Sequence, residues 1–421
     1  MKLNGIRDTP AARPGFFYGY VIAGAFFLIM VAIWGAYYSY GVFFIPLLNE
    51  FGWNRRTTSA AFSISMLVNG LLSIPLGGLT DRLGTRLVMT VCGVLLGAGY
   101  MLMALVDSPW QIYLFYTIII GTGMVAGFVP PVSAIVRWFV TRRGAVTGFI
   151  LAGSSAGALI GPPVASRLIS AYDWRYAFLI MGAFVLVVTT LISQFLRRDP
   201  AQVGQKPYGE NTQKQDLLPP EHGYSLVAAI QTRQLWIFFA ALICLGYCFF
   251  VYTVHIAPRT SDLGFSASSA ATALSALGAG SILGRLGMGA AADYLGYKRV
   301  YLVGSIASAL VMFALVPARE LWSIYLLSAI MGLTQGGTGT VISPLQAELF
   351  GVKSHGLILA VIGLGYTIGA AVGPIVTGYQ FDMSGRYEIA FLTTAIIAVA
   401  GFIFIILLKP IKPGGDRNIT F

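Results

Sequence analysis

Long apolar stretches recur along the chain, separated by short charged turns. Runs near residues 16–48, 57–79, 86–106, 110–139, 144–170, 174–196, 233–261, 267–292, 298–317, 321–350, 354–381 and 388–408 predict twelve membrane-crossing helices. Helices are the expected form because a lone span must satisfy every backbone group within itself once inside hydrocarbon. The one long polar segment runs from 197 to about 223 and is rich in Gln, Pro, Lys and acids. It divides the chain into an N-terminal six-helix bundle (1–196), a cytoplasmic linker with an interfacial helix (197–232), and a C-terminal six-helix bundle with a short tail (233–421). The stretch YSLVAAIQTRQLW (224–236) is amphipathic and is expected to lie on the membrane surface before the chain turns in. The fold class is therefore an all-α integral membrane protein.

The halves repeat at a constant shift of 212 residues. GGLTDRLGTR (77–86) superposes on GAAADYLGYK (289–298), and GSSAGALIGP (153–162) on GYTIGAAVGP (365–374). The same shift pairs Gly144 with Gly356, and Asp81 with Asp293. Three coincidences at one offset indicate two homologous bundles, an arrangement in which transporters place substrate at the repeat interface. In the first motif, glycines permit a tight turn, and the Asp is suited to cap a neighbouring helix N-terminus or meet a cation in one conformation only. Asp81, Arg82, Arg86, Asp293 and Lys298 are therefore the candidate gating residues, with plain turn chemistry as the alternative. In the second, small residues at i, i+4 and i+8 form a flat face for close helix crossing.

Composition sharpens this. Only 10% of residues are charged and 57% are hydrophobic, a balance that polar surface could not cover in a soluble protein of this length. The net charge of +11 raises the question of nucleic acid, and its distribution excludes it. With spans alternating from a cytoplasmic N-terminus, nineteen Lys and Arg fall on the inner face. Seven fall on the outer: Arg55, Arg56, Arg167, Arg175, Arg259, Arg319 and Arg386. That is the positive-inside bias, and it predicts a multi-pass protein of the cell (inner) membrane with both termini cytoplasmic. The first apolar run is too long for a cleaved leader and is expected to be retained. Cys92, Cys244 and Cys248 all sit in apolar runs and form neither a disulfide framework nor a metal site. No HExxH, GxSxG, paired intramembrane carboxylates or Cys–His couple occurs, so neither an enzyme nor a cofactor or metal requirement is expected.

One charge stands apart. From Ala267 to Ala292 the only other polar side chains than Arg285 are Ser and Thr, so Arg285 must face protein or trapped water rather than lipid. It lies eight residues before Asp293, about 12 Å deep, close to the midplane. A single cation at that depth suggests a site for a transported anion, which a guanidinium holds by two parallel hydrogen bonds. Packing alone, with backbone carbonyls or a distant carboxylate neutralising it, is the alternative. Groups available to line the rest of a cavity are Tyr37, Tyr38, Tyr40, Asn69, Tyr247, Tyr252, His255, Gln335 and Tyr366. Of the three first-span tyrosines, at most two can point inward. His255 titrates near neutrality and is the candidate proton acceptor; otherwise Arg285 is released only when neutralised by substrate together with a proton.

These residues resemble the major facilitator superfamily over nearly the whole chain, through GxxxDRxGxR at 77–86 and its weaker copy at 289–298. Within it the chain is similar to the monocarboxylate transporter branch and the related oxalate:formate antiporters. GYVIAGAFF…YGVFF (19–44), RWFVTRRGAVTGFILAGSSAG (137–157) and Arg285 carry that likeness. The resemblance implies carboxylate binding at Arg285. The branch's acidic partner of that arginine is replaced here by Ser281, and its first-span lysine by Tyr38, which marks Tyr38 as the preferred first-span site residue. The second basic residue of the oxalate:formate antiporters has no counterpart between Gly356 and Phe381. The expected substrate-binding set is Arg285, Tyr38, His255, Tyr252, Asn69, Gln335 and Tyr366. The expected function is a monomeric secondary transporter moving a small monocarboxylate such as lactate or pyruvate, with a proton, by alternating access. An exporter of amphiphilic compounds or drugs, and a carboxylate exchanger, are the competing expectations.

Overall fold

A computed structural model describes residues 16–52, 55–209 and 223–409. Within them run twelve helical rods. The first is Gly19–Tyr38, interrupted at Ser39 and continued as Tyr40–Phe51. The second, third, fifth and sixth are Arg55–Leu83, Thr85–Met103, Arg143–Ala171 and Trp174–Ser193. The fourth is segmented, with a wider turn over Tyr113–Ile120 and a tighter one over Met124–Gly127, before Val129–Trp138. Pro130 and Pro131 sit in the first turn of that last piece, where a missing N–H costs nothing. The second half comprises Arg233–Asp262, Ala267–Leu295 in three pieces, Tyr297–Leu315, Leu321–Phe350, His355–Ser384 and Glu388–Leu407. Among the described residues ten helices are long and apolar enough to cross a membrane. The other two rods are the eighth, divided by a wider turn at Gly284–Met288, and the tenth, which carries Thr334, Gln335, Thr338 and Thr340. No strand is found among the described residues.

The 212-residue repeat is visible in the packing. In the first half Gly153, Gly157 and Gly161 of the fifth span lie against the backbone carbonyls of Phe27, Val31 and Gly35 in the first. In the second half Gly365, Gly369 and Gly373 of the eleventh span lie against the carbonyls of Phe239, Ile243 and Tyr247 in the seventh. Every one of these partners is shifted by 212. A Cβ at any of them would meet backbone, so the glycine faces are what lets the rods approach this closely. The turn glycines of the motifs, Gly84 and Gly296, have φ of +89° and +92°, a region that strains any other residue.

The linker is anchored at both ends to equivalent places. Tyr208 N donates to the Trp138 carbonyl at 2.8 Å, Val140 N donates to the Tyr208 carbonyl at 2.9 Å, and Tyr224 N donates to the Phe350 carbonyl at 2.8 Å. The isolated bridges Phe139–Tyr208 and Gly223–Gly351 again use positions 212 apart. Within the amphipathic stretch 224–236 one short helix forms, Leu226–Ile230, and the seventh span begins at Arg233, where the Thr232 hydroxyl accepts from Leu235 N at 3.3 Å as its cap. The terminal tails and residues 210–222, which carry part of the inner-face charge count, lie outside the described residues.

Candidate functional site

At the linker end the halves are joined twice, by the same device. The Asp81 carboxylate accepts from Gly356 N at 3.3 Å and Leu357 N at 3.0 Å, the first turn of the eleventh span. The Asp293 carboxylate accepts from Gly144 N at 2.7 Å and Ala145 N at 2.9 Å, the first turn of the fifth. Each is an anion on the positive end of a helix in the opposite bundle. Gly77 and Gly356, and likewise Gly144 and Gly289, meet backbone to backbone beside these caps. Asp81 also pairs with Arg137 at 3.1 Å, while Arg137 donates to the Val352 carbonyl at 2.8 Å and reaches Asp199 of the linker at 3.7 Å. Tyr297 OH donates to Asp293 at 2.9 Å.

The other expected gating residues do different work. Arg86 Nε donates to Gln194 at 3.0 Å inside its own bundle, and Lys298 donates to the Ile406 carbonyl at 3.0 Å, closing the end of the twelfth span. Arg82 is exposed. Arg86 and Lys298 follow the turn glycines Gly84 and Gly296, on the helix after the one that bears the Asp, and Arg82 lies about 100° round the helix from Asp81. Arg137 joins the gate without belonging to the motif: it lies in the RWFVTRRG stretch, two spans further along the chain.

Between the halves, above this closed end, lies a cavity of about 720 Å³. Arg285, Tyr38, Asn69, Gln335 and Tyr366 line it, together with Ser154 and Ser281. Arg285 projects from the eighth span across the seam and donates to the Leu151 carbonyl and the Ser154 hydroxyl of the fifth. The Tyr38 and Tyr366 phenols line the same cavity, one from each half. No acidic residue lines the cavity among the described residues, and Arg285 is its one charged group. Of the first-span tyrosines, Tyr37 and Tyr38 reach the cavity, whereas Tyr40 is buried against Tyr116 at 4.2 Å between ring centres.

Two expected site residues lie elsewhere. Tyr252 is fully buried in the C-terminal bundle, with its hydroxyl 2.8 Å from that of Ser328. His255 is buried behind the cavity wall, with Nε2 3.2 Å from the Pro374 carbonyl oxygen and Nδ1 3.5 Å from the Tyr387 hydroxyl. The helix explains both. Leu242, Leu245, Phe249, Phe250 and Val254 mark the cavity face of the seventh span. At about 100° per residue, Tyr252 falls about a quarter-turn and His255 nearly half a turn from it. Tyr247 is likewise turned into the bundle.

The sequence model of the Major Facilitator Superfamily matches residues 25–286 and 256–421. Monocarboxylate transporter 11 of Homo sapiens is 28% identical over 98% of this chain and 88% of its own length. Monocarboxylate transporter 12 of Mus musculus is 24% identical over 99% and 90%. An uncharacterized MFS-type transporter of Escherichia coli K12, YhjX, is 27% identical over 74% and 77%. Among solved structures, the transporter FucP in the outward conformation superposes with a TM-score of 0.69 at 15% identity, covering 93% of this chain and 99% of that one, and so bears on fold alone. With the twelve rods, the repeat and the paired aspartate caps, these matches establish that the chain belongs to the Major Facilitator Superfamily.

Proposed function

We propose that the protein is a secondary carrier of small monocarboxylates, of the lactate and pyruvate kind, working by alternating access around Arg285. The observation that carries this is the guanidinium itself: a lone cation beside a large cavity, held across the seam by neutral acceptors on Leu151 and Ser154. An arriving carboxylate takes up guanidinium N–H groups bidentately and cancels the charge, which neutral acceptors leave uncompensated. A dicarboxylate would bring a second charge with no partner on the cavity wall, at a cost of several kcal/mol. The names of the mammalian relatives and the transporter fold support a small-molecule cargo. The excess of Lys and Arg at the linker end supports a cell-membrane protein with both termini cytoplasmic.

The coupling proton is assigned to His255, one wall removed from the cargo, because its Nε2 contacts the carbonyl of Pro374 and Pro374 lines the cavity. The test is uptake of labelled L-lactate into proteoliposomes under an imposed pH gradient. Arg285→Ala removes the charged partner of the anion and is expected to lower uptake by about thirtyfold or more. Arg285→Lys keeps the charge but not the fork and falls between. Substituting His255 by Gln is expected to leave lactate counterflow intact while abolishing pH-driven accumulation. Uptake indifferent to Arg285 would end this reading.

A further inference from the structure

Arg285 fixes where the anionic end of a cargo sits, and the neighbouring side chains fix what the rest of it must be. Two aromatic pairs share the cavity with the guanidinium, one from each half. From the first span come Trp34 and Tyr38, stacked with centroids 5.4 Å apart and planes 29° apart. From the second half come Phe250 and Tyr366, edge to face at 6.1 Å and 71°. All four line the cavity. Tyr38 and Tyr366, one from each pair, line the same cavity as the guanidinium. The polar edge of Trp34 is already spent: Nε1 donates to the Gly127 carbonyl at 3.0 Å, so the indole offers the cavity apolar surface. Met30, one turn before Trp34, extends that wall, and Phe249 stands 5.5 Å from Phe250 on the other side.

A two- or three-carbon acid seated on Arg285 touches almost none of this surface and leaves most of a 720 Å³ cavity to water. We infer that the preferred cargo is a monocarboxylate with a flat, apolar body, an aromatic or conjugated acid, whose ring lies between the two aromatic pairs while its carboxylate takes the guanidinium. This rests on the reading of Arg285 as a monocarboxylate site and moves the preferred acid from the lactate and pyruvate kind to a larger, flat one. Burying one six-membered ring removes on the order of 100 Å² of apolar surface from water, which favours such an acid over acetate by roughly a hundredfold. Offset-stacked and edge-to-face contacts add a further preference for a flat ring over a puckered one.

The experiment measures half-maximal inhibition of labelled benzoate and L-lactate counterflow in proteoliposomes by acetate, cyclohexanecarboxylate and benzoate. The proposal expects benzoate to be the strongest inhibitor, then cyclohexanecarboxylate, then acetate by about two orders of magnitude, with the labelled counterflow of both acids lost in Arg285→Ala. It further expects the benzoate-to-acetate ratio to fall about fivefold or more in Trp34→Leu and in Phe250→Leu, a ratio that does not depend on how much protein folds. Equal potency of acetate and benzoate overturns the aromatic preference and leaves the carboxylate reading standing. Benzoate flux that survives Arg285→Ala also overturns it and marks a general amphiphile carrier. Absence of Arg285-dependent flux for either labelled acid overturns the carboxylate reading itself.

Discussion

Neutralising the aspartate caps should open the linker end, and the size of the effect can be worked from their contacts. Asp293 accepts from two backbone N–H groups at 2.7 and 2.9 Å and from Tyr297 at 2.9 Å, all with its charge facing a helix N-terminus. Asparagine retains one acceptor oxygen and no charge. The loss is one charge-assisted bond, worth about 1.5–3 kcal/mol, and a charge–dipole attraction of about 0.3–1 kcal/mol, partly offset by entering water. A net ~2 kcal/mol is about thirtyfold in the equilibrium between closed and open linker ends, enough to raise an open population of about 1% to about a quarter. Asp81→Asn should open the same end by a similar factor through its bonds to Gly356 N and Leu357 N. Its pair with Arg137, with side chains only 13% and 10% exposed, lies within one half, so losing it lowers the thermal midpoint rather than adding to the opening. The caps belong to separate contacts, so the double variant should be roughly additive. Spin labels at Leu83 and Tyr294, exposed at the linker ends of opposite halves, report the opening as a longer distance; native Cys92, Cys244 and Cys248 are buried and stay silent. Unchanged distances in both single variants and the double would refute the reasoning.

Adding bulk beside the caps should act in the same direction: Gly77→Ala puts a Cβ 2.6 Å from the Gly356 carbonyl oxygen, a clash with backbone that costs about 1–3 kcal/mol, and the same label pair should separate. At the opposite end Glu50 accepts from Trp174 Nε1 and pairs with Arg175, and Arg175 first, then Trp174, holds its carboxyl below the usual glutamate range. A depressed carboxylate contributes above its unfolded value and loses that contribution as pH falls through the depressed value. With Glu50 39% exposed the effect on stability is well under ~1 kcal/mol, so it is best followed as an acid step in Trp174 fluorescence that Glu50→Gln abolishes. Tyr252→Phe leaves the buried Ser328 hydroxyl short of a partner and should lower the thermal midpoint by an amount matching about 1–3 kcal/mol, while the half-maximal lactate concentration stays put.

The architecture was largely legible in the order of residues. Spans of the length a bilayer demands, a constant 212-residue offset and glycines every fourth residue are one-dimensional signals of three-dimensional constraints. The role of Asp81 and Asp293 as helix caps was readable from charge and turn chemistry; which helix each would cap was not, since that depends on how the halves face one another. Arg285 was visible because a cation at mid-depth has so few tolerable surroundings. The aromatic walls were not, because Trp34 and Phe250 within apolar runs look the same whether they face a cavity or a neighbouring helix. His255 and Tyr252 were misplaced for the complementary reason: a polar tip does not reveal its helical angle, and both satisfy their hydrogen bonds inside the bundle.

The offset also explains why the cavity is lopsided. Shifting Arg285 back by 212 gives Ser73, and shifting Ser154, the hydroxyl that holds Arg285, forward gives Tyr366; all four line the cavity. Tyr38 maps on Phe250, and Asn69 on Ser281, again within it. These four positions face the cavity in both halves, as the shared backbone packing requires, yet the chemistry differs between the halves at each of the four. At the caps and glycine faces the residues are kept in kind, since both halves must close on each other with the same geometry. In the cavity a symmetric pair of cations would repel and would demand a dianion, whereas one arginine opposite one serine sets a single charge off the axis. A monoanion can neutralise that arrangement completely, and the diverged aromatic positions leave its remaining surface an apolar wall on either side.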